Sequence, residues 1–146
     1  MFESAELGHA IDKDTFKKEV PKLRAALLDI QYDMLEKKDF PVIILVSGVD
    51  GSGKGETINL LYSWMDPRHI STLAFSEPSD EETARPFMWR YWRALPPKGK
   101  VGIFAGSWYS QPIADRIAGK MRRTALDEQL ENINHFEAML LNEGAL

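Results

Sequence analysis

The chain has 146 residues, 44% hydrophobic and 27% charged, a formal net charge of −4 and no cysteine. That composition describes one globular domain or part of one, and it excludes a disulfide framework, a thiolate metal centre and a low-complexity chain. No apolar run approaches the roughly 20 residues that span a bilayer. Met1-Phe2-Glu3-Ser4-Ala5-Glu6 lacks the basic start and apolar stretch of a secretion signal, so the expectation is a soluble cytoplasmic protein with no membrane partner.

Residues 1–40 read as an N-terminal helical segment packing on a sheet. Asp14-Thr15 precede a pattern of Val20, Leu23, Leu27, Ile30, Met34 and Leu35, one apolar stripe of a long amphipathic helix. Pro21 either kinks that helix or marks its start. Lys37-Lys38-Asp39-Phe40-Pro41 ends it and leads into Val42-Ile43-Ile44-Leu45-Val46, an apolar, β-branched run suited to a parallel strand buried on both faces.

Ser47-Gly48-Val49-Asp50-Gly51-Ser52-Gly53-Lys54-Gly55 follows at once, and a helix with Ile58, Leu61 and Met65 apolar follows that. Strand, glycine-rich loop and helix in this order let backbone N–H groups and a helix N-terminus hold an anion. Side chains would block the phosphate oxygens, and Lys54 brings a mobile point charge to the outer phosphates. Gly48, Gly51, Ser52, Gly53, Lys54 and Gly55 are therefore the phosphate-binding candidates. The common form of this loop carries Ser or Thr for Mg²⁺ after the lysine, where this chain has Gly55. Asp50 is then the candidate metal ligand, because Mg²⁺ takes oxygen ligands and keeps several waters. The alternative for Asp50 is a turn former that bonds its own backbone. For the loop as a whole it is a plain glycine turn with a solvated lysine.

Asp66-Pro67-Arg68 reads as a turn and Ile70–Phe75 as the second strand, ended by Glu77-Pro78-Ser79. Ser79-Asp80-Glu81-Glu82 has the form of a capping box, and Pro86 places the start of a helix near Arg85 that runs through Arg93. Within it, the spacing of Trp89 and Trp92 sends at least one of them to the core. Arg90 and Arg93 share a face and are candidate contacts to a nucleotide or polyphosphate. Leu95-Pro96-Pro97-Lys98-Gly99 stops this helix, and Val101-Gly102-Ile103-Phe104 is the third strand. Gly106-Ser107-Trp108-Tyr109 stands at its C-terminal end, the edge where open α/β sheets bind ligands. Trp108 and Tyr109 either stack on a base or pack inward.

Pro112 to Lys120 is a short helix. Thr124-Ala125-Leu126-Asp127 resembles the cap of another, with Leu126, Leu130, Ile133, Phe136 and Leu140 on one face and Asn142-Glu143-Gly144 at its close. Three parallel strands make a thin sheet with an open edge, and the expectation is that the chain is the first part of a longer polypeptide. His9, His69 and His135 have no ligand-like spacing. Between Arg85 and Arg123 the basic residues are Arg85, Arg90, Arg93, Lys98, Lys100, Arg116, Lys120, Arg122 and Arg123, against the single acid Asp115. A basic segment in an acidic chain suggests a polyphosphate track rather than nucleic acid; a solvated helix face is the other reading.

Four segments resemble the polyphosphate kinase type 2 family. Gly48-Val49-Asp50-Gly51-Ser52-Gly53-Lys54-Gly55 is similar to its G-x-D-x-x-G-K-G loop, and Trp89 to Gly99 to its W-R-x-x-x-A-L-P-x-x-G segment. Gly102 to Tyr109 resembles its G-I-F-D-R-S-W-Y motif, and Asn134 to Gly144 its helix leading into the next strand. The resemblance implies a P-loop NTPase-like fold, three-layer α/β/α with a parallel sheet, of which the first three strands and flanking helices are present. Residues 41–146 would be the first part of the kinase domain. It implies phosphoryl transfer between inorganic polyphosphate and AMP or another nucleotide, with Mg²⁺. Asp50, Lys54 and Arg116 would be catalytic, Arg116 standing where the family has an arginine near the start of its lid. A homo-oligomer and a fused or second kinase-like domain are implied partners.

The second motif departs from the family. Ala105-Gly106 stands where the resemblance calls for Asp-Arg, and Ser110-Gln111 where it calls for Asn-Arg. Alanine holds no metal and glycine neutralises no phosphate, so turnover should fall on the order of a thousandfold or more. The expectation is the weakened N-terminal domain of a tandem polyphosphate:AMP phosphotransferase. The alternatives are a non-catalytic module for polyphosphate binding or dimerisation, and a small-metabolite P-loop kinase.

Overall fold

The computed structural model describes residues 10–49 and 51–146; the expectations for residues 1–6, His9 and Asp50 concern positions outside the described residues. Three strands, β1 (Val42–Val46), β2 (Ile70–Ala74) and β3 (Val101–Ala105), form one parallel sheet in the order β1-β3-β2. They run in step: Val42, Val101 and Ile70 align at one end, and Val46, Ala105 and Ala74 at the other. All three strands therefore deliver their C-terminal ends to one edge.

Parallel neighbours need crossovers; the first carries α2 (Lys54–Trp64) onto one face, where α1 (Lys13–Lys37), which precedes β1, packs beside it. On the other lie α4 (Trp89–Trp92) and α6 (Arg123–Asn142), with α5 (Ser110–Ile117) against α6. α3 (Asp80–Thr83) belongs to the link between β2 and α4. Alternation along the strands divides the core in two. Val42, Ile44 and Val46 join Ile70, Val101, Ile103, Met34 and Ile58 in an aliphatic cluster. Ile43, Leu45 and Phe104 meet Phe75, Tyr91, Trp108, Ile133 and Phe136 in an aromatic one. The expected three-layer α/β/α architecture is the one observed.

Local chemistry moves several boundaries. α1 is capped by Asp12 rather than Asp14-Thr15: its carboxylate accepts from the N–H groups of Asp14 and Thr15 at 3.0 and 2.9 Å and from the Thr15 hydroxyl at 2.7 Å. The Thr15 hydroxyl, its backbone N–H and that of Asp14 hold this carboxyl below its ordinary range. Pro21 neither starts nor ends the helix, which runs through it. The apolar stripe is only partly used, with Leu23 and Ile30 exposed by 51% and 58% while Gln31 and Met34 are buried. The Gln31 amide brackets the backbone of Asp66, donating to its carbonyl at 2.9 Å and accepting from its N–H at 2.7 Å. This clamp ties α1 to the 3-10 turn Pro67–His69 that opens β2.

The helix expected from Arg85 contracts to the single turn Trp89–Trp92, because Pro86 leads a tighter i→i+3 turn in which Trp89 N–H bonds its carbonyl. Tyr91 is its buried member, Trp89 is half-buried and Trp92 lies 52% exposed. The capping box at Ser79 and Glu82 forms, capping α3 alone. Thr124 does not cap α6, which begins at Arg123 without a side-chain cap. β1, expected to be buried on both faces, is half-buried throughout as an edge strand. Among the described residues its outer side is paired at Leu146, which accepts from Ile43 N–H at 2.7 Å and donates to the Pro41 carbonyl at 3.0 Å.

Candidate functional site

The glycine loop leaves β1 at the C-terminal edge of the sheet and passes straight into α2, whose first residue is Lys54. Gly53 caps that helix at φ +85, a left-handed conformation that a side chain would strain. Gly51, Ser52 and Gly55 are exposed and Gly53 and Lys54 half-buried, so the loop opens to solvent above the helix N-terminus. Lys54 turns its ammonium back across the loop, donating to the carbonyls of Val49, at 3.0 Å, and Gly48. Gly48, Gly51, Ser52, Gly53, Lys54 and Gly55 thus stand together at the N-terminus of α2. Its electrostatics favour an anion, since the N–H groups of a helix's first turn and a cation meet there.

Facing it is the turn after β3. The N–H of Gly106 bonds the Val46 carbonyl at 2.9 Å, and the Ala105 carbonyl accepts from Phe75 N–H at 3.1 Å. Gly106 adopts φ +95, and a Cβ there would meet the Phe75 carbonyl at 3.4 Å. Alanine and glycine therefore supply no charge, and the backbone takes a shape that an arginine at this position would strain. Behind them Ser107, Ser110 and Ser47 converge: the Ser110 hydroxyl lies 3.2 Å from that of Ser107 and 3.3 Å from that of Ser47, and accepts from Ser107 N–H at 3.1 Å.

Trp108 corrects one expectation. Its ring is 2% exposed and packs edge-on against Tyr91, Phe104 and Phe136, so it is a core residue with no face for a base. Its Nε1–H donates to Glu137 Oε1 at 2.8 Å, and the Tyr109 hydroxyl donates to the same oxygen at 2.8 Å. Burial, and then the adjoining carboxylate, push the Tyr109 hydroxyl above its ordinary pKa. Together the two bonds pin the turn to α6. The sequence assigns no site role to Glu137 or to the three serines, although Ser47, Ser107 and Ser110 stand in segments it marks; the packing of α6 on the sheet edge brings Glu137 to the turn.

Arg90 and Arg93 do come together, in an open cavity of about 530 Å³ at the end of β2 lined also by Phe75, Ser76 and Glu82. Arg90 donates to the Ser76 carbonyl at 3.0 Å, faces the Glu82 carboxylate at 3.5 Å and lies over the rings of Phe75 and Tyr91. Arg93 lies 4.7 Å over Trp89. With neighbouring strands ~5 Å apart, this cavity stands roughly 10 Å from the glycine loop, across the end of β3. Arg116 is exposed on α5, about 9 Å along the helix axis from Ser110. Asp50, expected to hold metal, is outside the described residues. Among the described residues no group of three or more His, Cys, Asp or Glu could hold a metal ion. Hydroxyl oxygens are the donors at hand, which suits a hydrated hard cation carried by phosphate oxygens. Among those residues, too, no helix is long and apolar enough to cross a membrane.

Comparison with known proteins follows the same lines. Residues 10–146 match the family model described as Polyphosphate kinase 2 (PPK2). The chain is 54% identical over its whole length to a polyphosphate:AMP phosphotransferase of Pseudomonas aeruginosa, and 50% to one of Pseudomonas syringae. It spans 29% of the length of each of these relatives. Among solved structures it superposes on a candidate polyphosphate kinase 2 from Pseudomonas aeruginosa at a TM-score of 0.94, covering all of this chain and 31% of that one. With a polyphosphate kinase 2 from Arthrobacter aurescens the score is 0.88 at 26% identity, covering 95% of this chain and 50% of the other. A glycine loop closed by lysine, a parallel sheet in the order β1-β3-β2 and a match over residues 10–146 agree: the chain belongs to the polyphosphate kinase 2 family.

Proposed function

We propose that the chain is a phosphate-binding, catalytically weakened domain of a cytoplasmic polyphosphate:AMP phosphotransferase, working beside a second kinase-like domain, fused or in an oligomer. One observation carries this: a complete glycine loop with Lys54 faces a turn in which Ala105 and Gly106 supply no charge. Phosphoryl transfer is mainly positioning and charge neutralisation. The loop N–H groups and Lys54 would hold polyphosphate, Arg116 would reach its outer part from α5, and the Arg90–Arg93 cavity would receive the acceptor nucleotide. Asp50 and phosphate oxygens would hold Mg²⁺, which when bound neutralises charge on the transferred group. Without a carboxylate or guanidinium at the β3 turn, developing charge there goes unanswered, and binding outlasts turnover.

A second reading, a non-catalytic polyphosphate-capture module, is favoured by the uncharged serine cluster beside the loop. A coupled assay with polyphosphate, AMP and Mg²⁺ separates them. The proposal expects transfer by the full-length protein and a rate from the 146-residue chain lower on the order of a thousandfold. Equal rates sink the weakened-domain part, and no transfer by either leaves the capture module.

A further inference from the structure

We propose that Ser47, Ser107 and Ser110 form an uncharged half of the phosphate site, donating hydroxyl protons to an outer oxygen of a polyphosphate held by the glycine loop. The inference rests on the loop being a phosphate site and adds to it three residues outside the phosphate-binding candidates Gly48, Gly51, Ser52, Gly53, Lys54 and Gly55. They come from three elements: Ser47 ends β1 and immediately precedes Gly48, Ser107 follows β3, and Ser110 is the first residue of α5. Ser110 is the hub, 3.3 Å from the Ser47 hydroxyl and 3.2 Å from that of Ser107.

Proton accounting points to an anion. Each hydroxyl has one proton to give, and the cluster has two hydroxyl–hydroxyl contacts. One proton is therefore left over whichever way the others turn. The Ser107 N–H already occupies one lone pair of Ser110. Ser110 can then accept one further hydroxyl. With Ser107 as that donor, an anion replacing the 3.3 Å Ser47–Ser110 contact meets the hydroxyl protons of Ser47 and Ser110, both exposed, while Ser107 is 4% exposed. The start of α5 and the start of α2 add partial positive charge at the same edge. The ligand class is thus an oxyanion of the phosphate type, met here by neutral donors.

The test is titration of the 146-residue chain with tripolyphosphate by calorimetry, without divalent metal. Ser110→Ala should weaken binding about tenfold, as loss of a hydrogen bond to a charged group does. Ser110→Thr, which keeps the hydroxyl, should stay within about twofold of the parent chain. Ser110→Asp separates donation from bracing: its carboxylate still accepts from Ser107 N–H but repels the anion, so binding should fall further than in the alanine variant. A thermal melt of each variant checks the fold, and Ser47→Ala, expected to weaken binding by a few-fold, serves if Ser110→Ala melts early. Parent-like affinity in both Ser110→Ala and Ser110→Asp overturns the inference, while loss of binding in Lys54→Ala leaves the loop standing. Restoration by Asp also overturns it, since the hydroxyl then only braces the turn. No binding by the parent chain overturns the loop site and this inference together.

Discussion

The glycine loop and the turn after β3 meet at one sheet edge and are built in opposite ways. The loop is exposed and glycine-rich, and Lys54 donates to the carbonyls of Gly48 and Val49. The turn is embedded: Trp108 is buried in the aromatic cluster, and Glu137 holds both Trp108 and Tyr109. The loop therefore keeps ligand-binding groups available at little cost to stability, whereas the turn keeps shape and carries no charge. Scaffold and chemistry have separated, which supports the proposal that the site holds phosphate better than it transfers it.

The largest effect expected lies under the turn. Phe104→Ala empties a fully buried ring site between Phe75 and Trp108, and chemical denaturation should show a loss of about 3–5 kcal/mol. A loss below about 1 kcal/mol would mean the turn is not supported by its aromatic floor. Next comes restoration of charge. Gly106→Arg should destabilise by roughly 1–3 kcal/mol, because φ +95 strains any side chain there. Ala105→Asp is free of that strain and should raise Mg²⁺-dependent transfer about tenfold or more. An arginine at 106 that costs nothing in a thermal melt would show that side-chain loss alone, without a matching backbone shape, distinguishes the turn from the loop.

The smallest effect concerns a region remote from both. Asp66 is held well below its ordinary value of 3.8, first by the Arg68 guanidinium, which it binds through both oxygens, then by the Arg68 N–H and the Tyr32 hydroxyl. The folded state thus binds this proton more weakly than the unfolded chain. Its contribution is complete above pH 3.8 and is lost as pH falls below that value. Asp66→Asn should flatten this acid limb of the stability curve and leave tripolyphosphate binding unchanged. An equally steep acid limb in the variant would assign the loss to other carboxylates.

Much of this was legible in residue order. Val42–Val46, the glycine loop and Val101–Phe104 carry patterns set by local chemistry, and they form where expected. What escaped depends on contacts distant in sequence. Trp108 looked available for a base because only the packing of α4 and α6 shows its ring enclosed by Tyr91 and Phe136. The helix around Trp89 read too long because the tight turn at Pro86 competes with it. Glu137 joins the turn through tertiary placement, and although the serines stand in marked segments, their convergence on Ser110 comes only with the fold. β1 read as doubly buried, yet it is a half-buried edge strand whose outer side, among the described residues, is paired at Leu146.

The most direct test sets binding against turnover in the 146-residue chain and its Lys54→Ala variant. Calorimetric titration with tripolyphosphate and a transfer assay with polyphosphate, AMP and Mg²⁺ are run on the same samples. The account predicts binding by the parent chain, a loss of about a hundredfold in Lys54→Ala, and transfer well below the ~10 s⁻¹ of an ordinary enzyme. Undiminished binding in Lys54→Ala, or transfer by the parent chain at an ordinary enzymatic rate, would contradict it.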